Sequence, residues 1–226
     1  MTARATATIP LSVTHSYTDP ATGQITTLTF DEFIPEHVVR ARVRAMAKYL
    51  APLLAAHPDE TVVVPVLAGG SQIMDAILRE AEALVAGIAP RIAPVKVRSY
   101  EGTAAGKLCV DQDVPAGTFA GKTVFVFDEV VDRGHTMRYL LNDRIKPEHP
   151  KAIIVVTLVR KLAAHEVDVQ TDVVGFDTPP DFLLGWGMDW HQRGRWQPWI
   201  GRLRDDKQAI YTVPKFPNKN TIKNVK

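Results

Sequence analysis

The residues best suited to chemistry lie in one run, Val124-Phe125-Val126-Phe127-Asp128-Glu129-Val130-Val131-Asp132-Arg133-Gly134-His135-Thr136. An apolar stretch ends in two adjacent carboxylates. A third, Asp132, opens a glycine-containing turn, and a helix-like stretch from Met137 to Ile145 follows. Paired carboxylates suit ribose hydroxyls or a divalent metal, and backbone N–H groups at a helix start suit a phosphate. Together they fit a sugar phosphate. An exposed Asp-Glu pair at a strand end is equally at home in a purely structural setting, so the flanking elements have to decide.

Those elements read as a doubly wound α/β domain. The continuous apolar run before Asp128 is the pattern of a strand buried on both faces in a parallel sheet, and ligands bind where such strands feed helices. Thr61–Leu67, Arg91–Val97, Thr123–Phe127 and Ala152–Val159 are predicted strands, with Asp172–Phe176 and Phe182–Trp186 as short late ones. Gln72–Val85 and Met137–Ile145 are predicted helices between them, so the expectation is a mainly parallel sheet flanked by helices. Residues 11–30 alternate around Asp19-Pro20-Ala21-Thr22-Gly23 as a β-hairpin. Val39, Val43, Met46, Leu50, Leu53 and Leu54 then recur at helical spacing, with Pro35 in the first turn and Pro52 expected to kink or end the helix near Leu50. Tyr100 to Phe119, holding Gly102, Gly106, Pro115 and Gly117, reads as a long loop.

Composition narrows the class. The 226 residues are 46% hydrophobic and 23% charged, enough for one domain with a full core. One cysteine, Cys109, excludes an internal disulfide and fits a reducing compartment. With no secretory pattern and no bilayer-length apolar run, the expected location is the cytoplasm. Net charge is +2, but the last thirteen residues carry Lys215, Lys219, Lys223 and Lys226 without an acid. Residues 214–226 therefore read as a basic flexible tail on a nearly neutral body, and neither a membrane nor a nucleic acid is an expected partner. The body, 1–213, reads as a single domain: hairpin and helix over 11–57, core over 60–160 and a late segment over 172–205.

An apolar strand, two acids, two aliphatics and then Asp-x-Gly-x-Thr resembles the phosphoribosyl diphosphate (PRPP) signature of the type I phosphoribosyltransferases. In detail the chain is most similar to the hypoxanthine-guanine phosphoribosyltransferases, from about Val62 to Arg195. The resemblance implies that Asp128 and Glu129 hold the ribose hydroxyls, directly or through a metal. It places the 5-phosphate on Asp132, Arg133, Gly134, His135 and Thr136, with Asp132 also the general base near N7 of the incoming purine. Ala68, Gly69 and Gly70 resemble the pyrophosphate loop. Ser99 and Tyr100 resemble the start of a mobile loop that closes over the reacting centre.

Pro180-Asp181-Phe182-Leu183-Leu184-Gly185-Trp186-Gly187-Met188-Asp189 resembles the family's base-binding segment. There Phe182 would stack on the purine, Leu183 bond its edge, Asp189 help hold a second Mg2+ and Arg195 contact pyrophosphate. Lys161 would read the exocyclic oxygen of a 6-oxopurine, with Arg160 the alternative. The resemblance thus implies Mg2+-dependent transfer from PRPP to hypoxanthine or guanine, a homodimer or homotetramer, and a small hood built from the terminal segments. Three departures stand out: the Asp128-Glu129 order, Arg133 and His135 in the phosphate turn, and Ala68 where a lysine or other polar residue is usual. Trp186 and Trp190 also replace commoner tyrosines. Transfer to a modified purine or another heterocycle, or a non-catalytic PRPP-sensing regulator on the same fold, stand as the alternative readings.

Overall fold

The computed structural model describes residues 11–99, 108–205 and 209–218. The hairpin comes first: β1 (Ser12–Thr18) pairs antiparallel with β2 (Ile25–Ile34), Ser12 opposite Asp31 and Thr18 opposite Ile25. Cross-strand hydroxyl pairs, Thr14 with Thr29 at 2.9 Å and Ser16 with Thr27 at 2.8 Å, fix that register on the exposed face. Helix α1 (Glu36–Ala55) follows, with Pro35 at its N-cap. Pro52 does not end it. The ring lies on the exposed face, and buried Leu50, Ala51 and Leu54 hold the last turn in place.

A five-stranded parallel sheet forms the centre. In chain order its elements are β3 (Thr61–Pro65), α2 (Gly70–Glu82) and β4 (Arg91–Ile92), and then, after a separate ribbon of β5 (Lys96–Ser99) and β6 (Leu108–Gln112), β7 (Thr123–Val131). Helix α3 (His135–Tyr139) continues through a wider i→i+5 turn at Leu140–Ile145, so the expected single helix over 137–145 starts earlier and changes pitch. Then come β8 (Ala152–Arg160) and β9 (Val173–Asp177). The order across the sheet is β4-β3-β7-β8-β9, every pair parallel. From β3 the chain winds outward through β4, and from β7 the other way through β8 and β9. The switch point lies between β3 and β7, where such sheets open a crevice at their carboxyl ends.

Alternation along the strands builds both cores. Val63, Phe125, Phe127, Ile154 and Val156 pack under α1 and α2. Their neighbours Val62, Val64, Val124, Val126 and Val155 pack on the opposite face against Met137, Leu140, Leu141 and Ile145. A smaller antiparallel sheet caps one end. It joins β1 and β2 to β11 (Ile200–Leu203) and β10 (Leu183–Leu184), in the order β1-β2-β11-β10. This is the hood of terminal segments.

Two further expectations need correction. The single strand expected over 91–97 is split, Arg91–Ile92 joining the central sheet and Lys96–Ser99 the separate ribbon. The stretch from 100 to 119 is not all loop: β6 pairs antiparallel with β5, Ser99 opposite Leu108. Its residues are only half buried or exposed, so they carry no apolar periodicity to read. The described part of the 214–226 segment, 214–218, packs on the body. The carbonyl of Pro214 accepts a bond from Arg42, whose guanidinium lies 4.0 Å over the Phe216 ring. Tyr49 closes that contact, its ring centre 5.0 Å from Phe216. Among the described residues, no helix is long and apolar enough to cross a membrane.

Candidate active site

A cleft of about 390 Å³ opens at the switch point. Its floor is the chain from Asp128 to Met137, and Val66, Leu67 and Val97 close its side. β7 runs four residues past its predicted end because β8 is equally long and pairs with it to the last residue, Val131 opposite Arg160. Asp128 and Glu129 are therefore strand residues and not loop residues. Asp128 is only 7% exposed. Burial, reinforced by the Glu129 charge, pushes its pKa well above the usual carboxylate range, and burial raises Glu129 as well. Two adjacent carboxylates, one buried and one partly buried, are costly without a cation or hydroxyl donors, and Arg195 lies 3.9 Å from Glu129.

The loop after β3 meets Glu129 closely, with a cis peptide between Leu67 and Ala68. A Cβ on Gly69 would stand 2.1 Å from the Glu129 carboxyl carbon, and one on Gly70 would stand 2.3 Å from the Phe127 carbonyl. At Gly70 the obstacle is backbone and only glycine fits, whereas at Gly69 a Cβ would displace the end of the Glu129 side chain. After β7 the backbone turns at Gly134, whose φ of 89° lies in the left-handed region. The turn starts α3 and directs its first residues, His135 and Thr136, at the cleft. Arg133 and His135 do not stand alone there. Both reach Glu166, at 3.4 Å and 2.7 Å, and the Glu166 N–H bonds the Arg133 carbonyl. The His135 bond and the Arg133 charge hold the Glu166 carboxylate below its ordinary pKa. Sequence reasoning missed Glu166, which sits between β8 and β9 in a stretch with no periodic or motif signal.

Lys161 follows β8 and is 6% exposed, yet its Nζ lies 2.8 Å from the half-exposed Asp132 carboxylate. Arg160, the alternative, is committed elsewhere: it forms a two-pronged pair with Asp177 at 2.7 and 3.0 Å. Phe182 is 45% exposed and tilts against Phe30, with ring centres 6.1 Å apart. Leu183 is buried and starts β10, opposite Arg202. Arg195 gathers the remaining carboxylates. It lies 2.6 Å from Asp189 and 3.9 Å from Glu129, and it bonds the Gly187 carbonyl. The structure thus brings together Asp128, Glu129, Gly69, Asp189 and Arg195, and joins Lys161 to Asp132. Ser99 ends β5 beside the cleft-lining Val97, and Tyr100 lies outside the described residues.

The chain matches the phosphoribosyl transferase domain over residues 38–193 and belongs to that family. Over 147 residues it is 33% identical to the bifunctional protein TilS/HprT of Listeria monocytogenes; the match takes in 64% of this chain and spans only about a fifth, 22%, of that relative. It is 27% identical over 180 residues to the hypoxanthine phosphoribosyltransferase of Salmonella typhimurium, covering 77% of this chain and 96% of the relative. A solved hypoxanthine-guanine phosphoribosyltransferase from Bacillus anthracis superposes with a TM-score of 0.63 at 27% identity, over 77% of this chain and 97% of the other.

Proposed function

We propose that this chain transfers the 5-phosphoribosyl group of PRPP to a 6-oxopurine, releasing pyrophosphate and a nucleoside 5′-monophosphate. The observation that carries the base preference is the 2.8 Å pair between buried Lys161 and Asp132 at the edge of the cleft. A 6-oxopurine presents O6, an acceptor, beside N7, which must lose a proton as N9 is substituted. A cation next to a carboxylate complements those two neighbouring atoms: Lys161 donates to O6 and Asp132 accepts from N7. Adenine would set an amine against the ammonium, two donors facing each other.

The rest of the assignment follows from the cleft. Asp128 and Glu129 bind the ribose hydroxyls, and the backbone N–H groups of the Arg133–Thr136 turn bind the 5-phosphate with the Thr136 hydroxyl. Gly69 and Gly70 let the backbone approach the pyrophosphate, and Arg195 pairs with its charge. Phe182 stacks on the purine ring, and the Leu183 backbone bonds its edge. Asp128, Glu129 and Asp189 supply hard oxygen donors that fit Mg2+. Among the described residues no three His, Cys, Asp or Glu side chains are grouped to hold a metal by themselves, so the ion's other ligands would have to come from substrate and water. When bound, Mg2+ neutralises charge on the departing pyrophosphate. The protein's share is positioning and electrostatic stabilisation of the ribose cation as the C1–O bond breaks.

Pyrophosphate release from PRPP and Mg2+ against a panel of bases tests this reading. Turnover with hypoxanthine or guanine supports it. Turnover confined to another heterocycle would replace the acceptor, and tight PRPP binding without turnover on any base would make the chain a sensor.

A further inference from the structure

Asp189 and Arg195 flank a tight turn of an unfavourable kind. Trp190 and Arg193 exchange both backbone hydrogen bonds, N to O at 3.1 and 3.0 Å, leaving His191 and Gln192 as the two central residues. Both have positive φ, 48° and 63°. That is the type I′ hairpin turn, whose central pair is commonly Asn-Gly because glycine and the short polar asparagine tolerate the left-handed region that most side chains resist. Conformations of this sort persist where the surroundings over-determine them, and they cluster at functional sites.

The surroundings come from the far end of the chain. Tyr17, on β1, lies face to face on the His191 ring, with centres 3.6 Å apart and planes 6° from parallel. Trp190 meets both rings edge-on, 6.1 Å from Tyr17 and 5.0 Å from His191, and is buried in the hood's small core with Phe30 and Leu184. On the other side, the Asp189 carboxylate accepts the Gln192 N–H at 2.6 Å, and Arg195 donates to the Gln192 side chain at 3.1 Å. The turn is thus held between an aromatic clamp and the two charged groups of the site.

We infer that Tyr17 is a positioning residue for PRPP: by stacking on His191 it holds the 190–193 turn in its left-handed form and so aims Asp189 and Arg195 at the pyrophosphate end of the cleft. This rests on the roles proposed above for Asp189 and Arg195. The β1–β2 hairpin then has a task at the active site although it contributes no group to it. The clamp acts on the pyrophosphate side only, so its loss should separate PRPP binding from base binding.

Calorimetric binding of PRPP with Mg2+ to the full-length protein, alongside KM for the base, tests this. Tyr17→Ala is expected to weaken PRPP binding about tenfold, the scale of one lost aromatic pair, with the KM for the base changed less than about twofold. Tyr17→Phe keeps the ring and should bind as the wild type does. In a His191→Asn/Gln192→Gly background the turn no longer needs the clamp, and Tyr17→Ala should then have no further effect. An equal loss of PRPP affinity in both backgrounds would overturn the inference, as would unchanged affinity in Tyr17→Ala or a matching loss on base and PRPP. A wild-type protein that does not bind PRPP at all would overturn the reading of the site itself, and this inference with it.

Discussion

The proposed phosphate cradle runs through nine consecutive residues, Asp128 to Thr136, whereas the proposed hood side of the site gathers Tyr17, Phe182, Asp189 and Arg195 from opposite ends of the chain. The cradle rests on β7, whose side chains pack into cores on both faces of the sheet. The hood rests on a four-stranded sheet with a small core of its own, Phe30, Leu184 and Trp190, and reaches the main core through Ile34, Leu183 and Ile200. One half is local and supported on both faces of the sheet. The other depends on contacts between remote segments. On the proposed assignment the sugar phosphate is held by β7 and the turn after it, and the acceptor is read partly by the hood.

Four substitutions would break or sharpen that contrast. The largest effect is expected at the junction of the two halves. Asp132→Asn should lower kcat by ~10² or more while PRPP still binds; unchanged turnover would remove Asp132 as the base. Next, Gly134→Ala strains a left-handed position and brings a Cβ to 3.0 Å from the Val169 side chain. Its expected outcome is a loss of PRPP affinity of about tenfold or more, with the KM for the base little altered. Phe182→Ala should do the reverse. Removing the stacking ring raises the KM for the base by roughly tenfold, leaving calorimetric PRPP affinity within about twofold. If Phe182→Ala damaged PRPP binding as much as base binding, the two halves would not be separable.

The smallest effect concerns stability. Because burial raises the folded-state pKa of Asp128 and Glu129, the stability they allow is full in acid and is lost as pH rises from the ordinary carboxylate range through the raised values. Asp128→Asn removes one of the two charges. In the absence of Mg2+ and PRPP its melting temperature should exceed the wild type's by about 2–4 °C near neutral pH, the equivalent of about 1 kcal/mol for a chain this size, with the gap closing towards pH 4. A melting temperature that fell at neutral pH would show the pair to be stabilising, contrary to its burial.

The same contrast explains what was legible beforehand. The cradle could be read because strand, acids, turn and helix start are consecutive, and each has a local physical signature. The parallel sheet was readable from runs such as Val124–Phe127 and Ile153–Val156, apolar on both faces. Strand β6 was not, because Leu108–Gln112 is half exposed and pairs with a neighbour chosen by tertiary structure. The extent of β7 also escaped, since its last residues are strand only by virtue of β8. Glu166 beside the Arg133–His135 turn and Tyr17 on the 190–193 turn have no sequence signature, for each acquires its contacts through a partner far along the chain. Pro52 misled in the other direction: on an exposed helix face its cost is outweighed by the buried residues either side.

The most direct measurement is the ratio of kcat/KM for hypoxanthine to that for adenine, with PRPP and Mg2+ supplied and pyrophosphate and monophosphate both quantified. The Lys161–Asp132 pair predicts a preference for hypoxanthine of roughly 10²-fold or more, as a site built for one hydrogen-bonding pattern rejects its inverse, with the two products formed one to one. A ratio near unity, a preference for adenine, or no pyrophosphate release with either base would contradict the account.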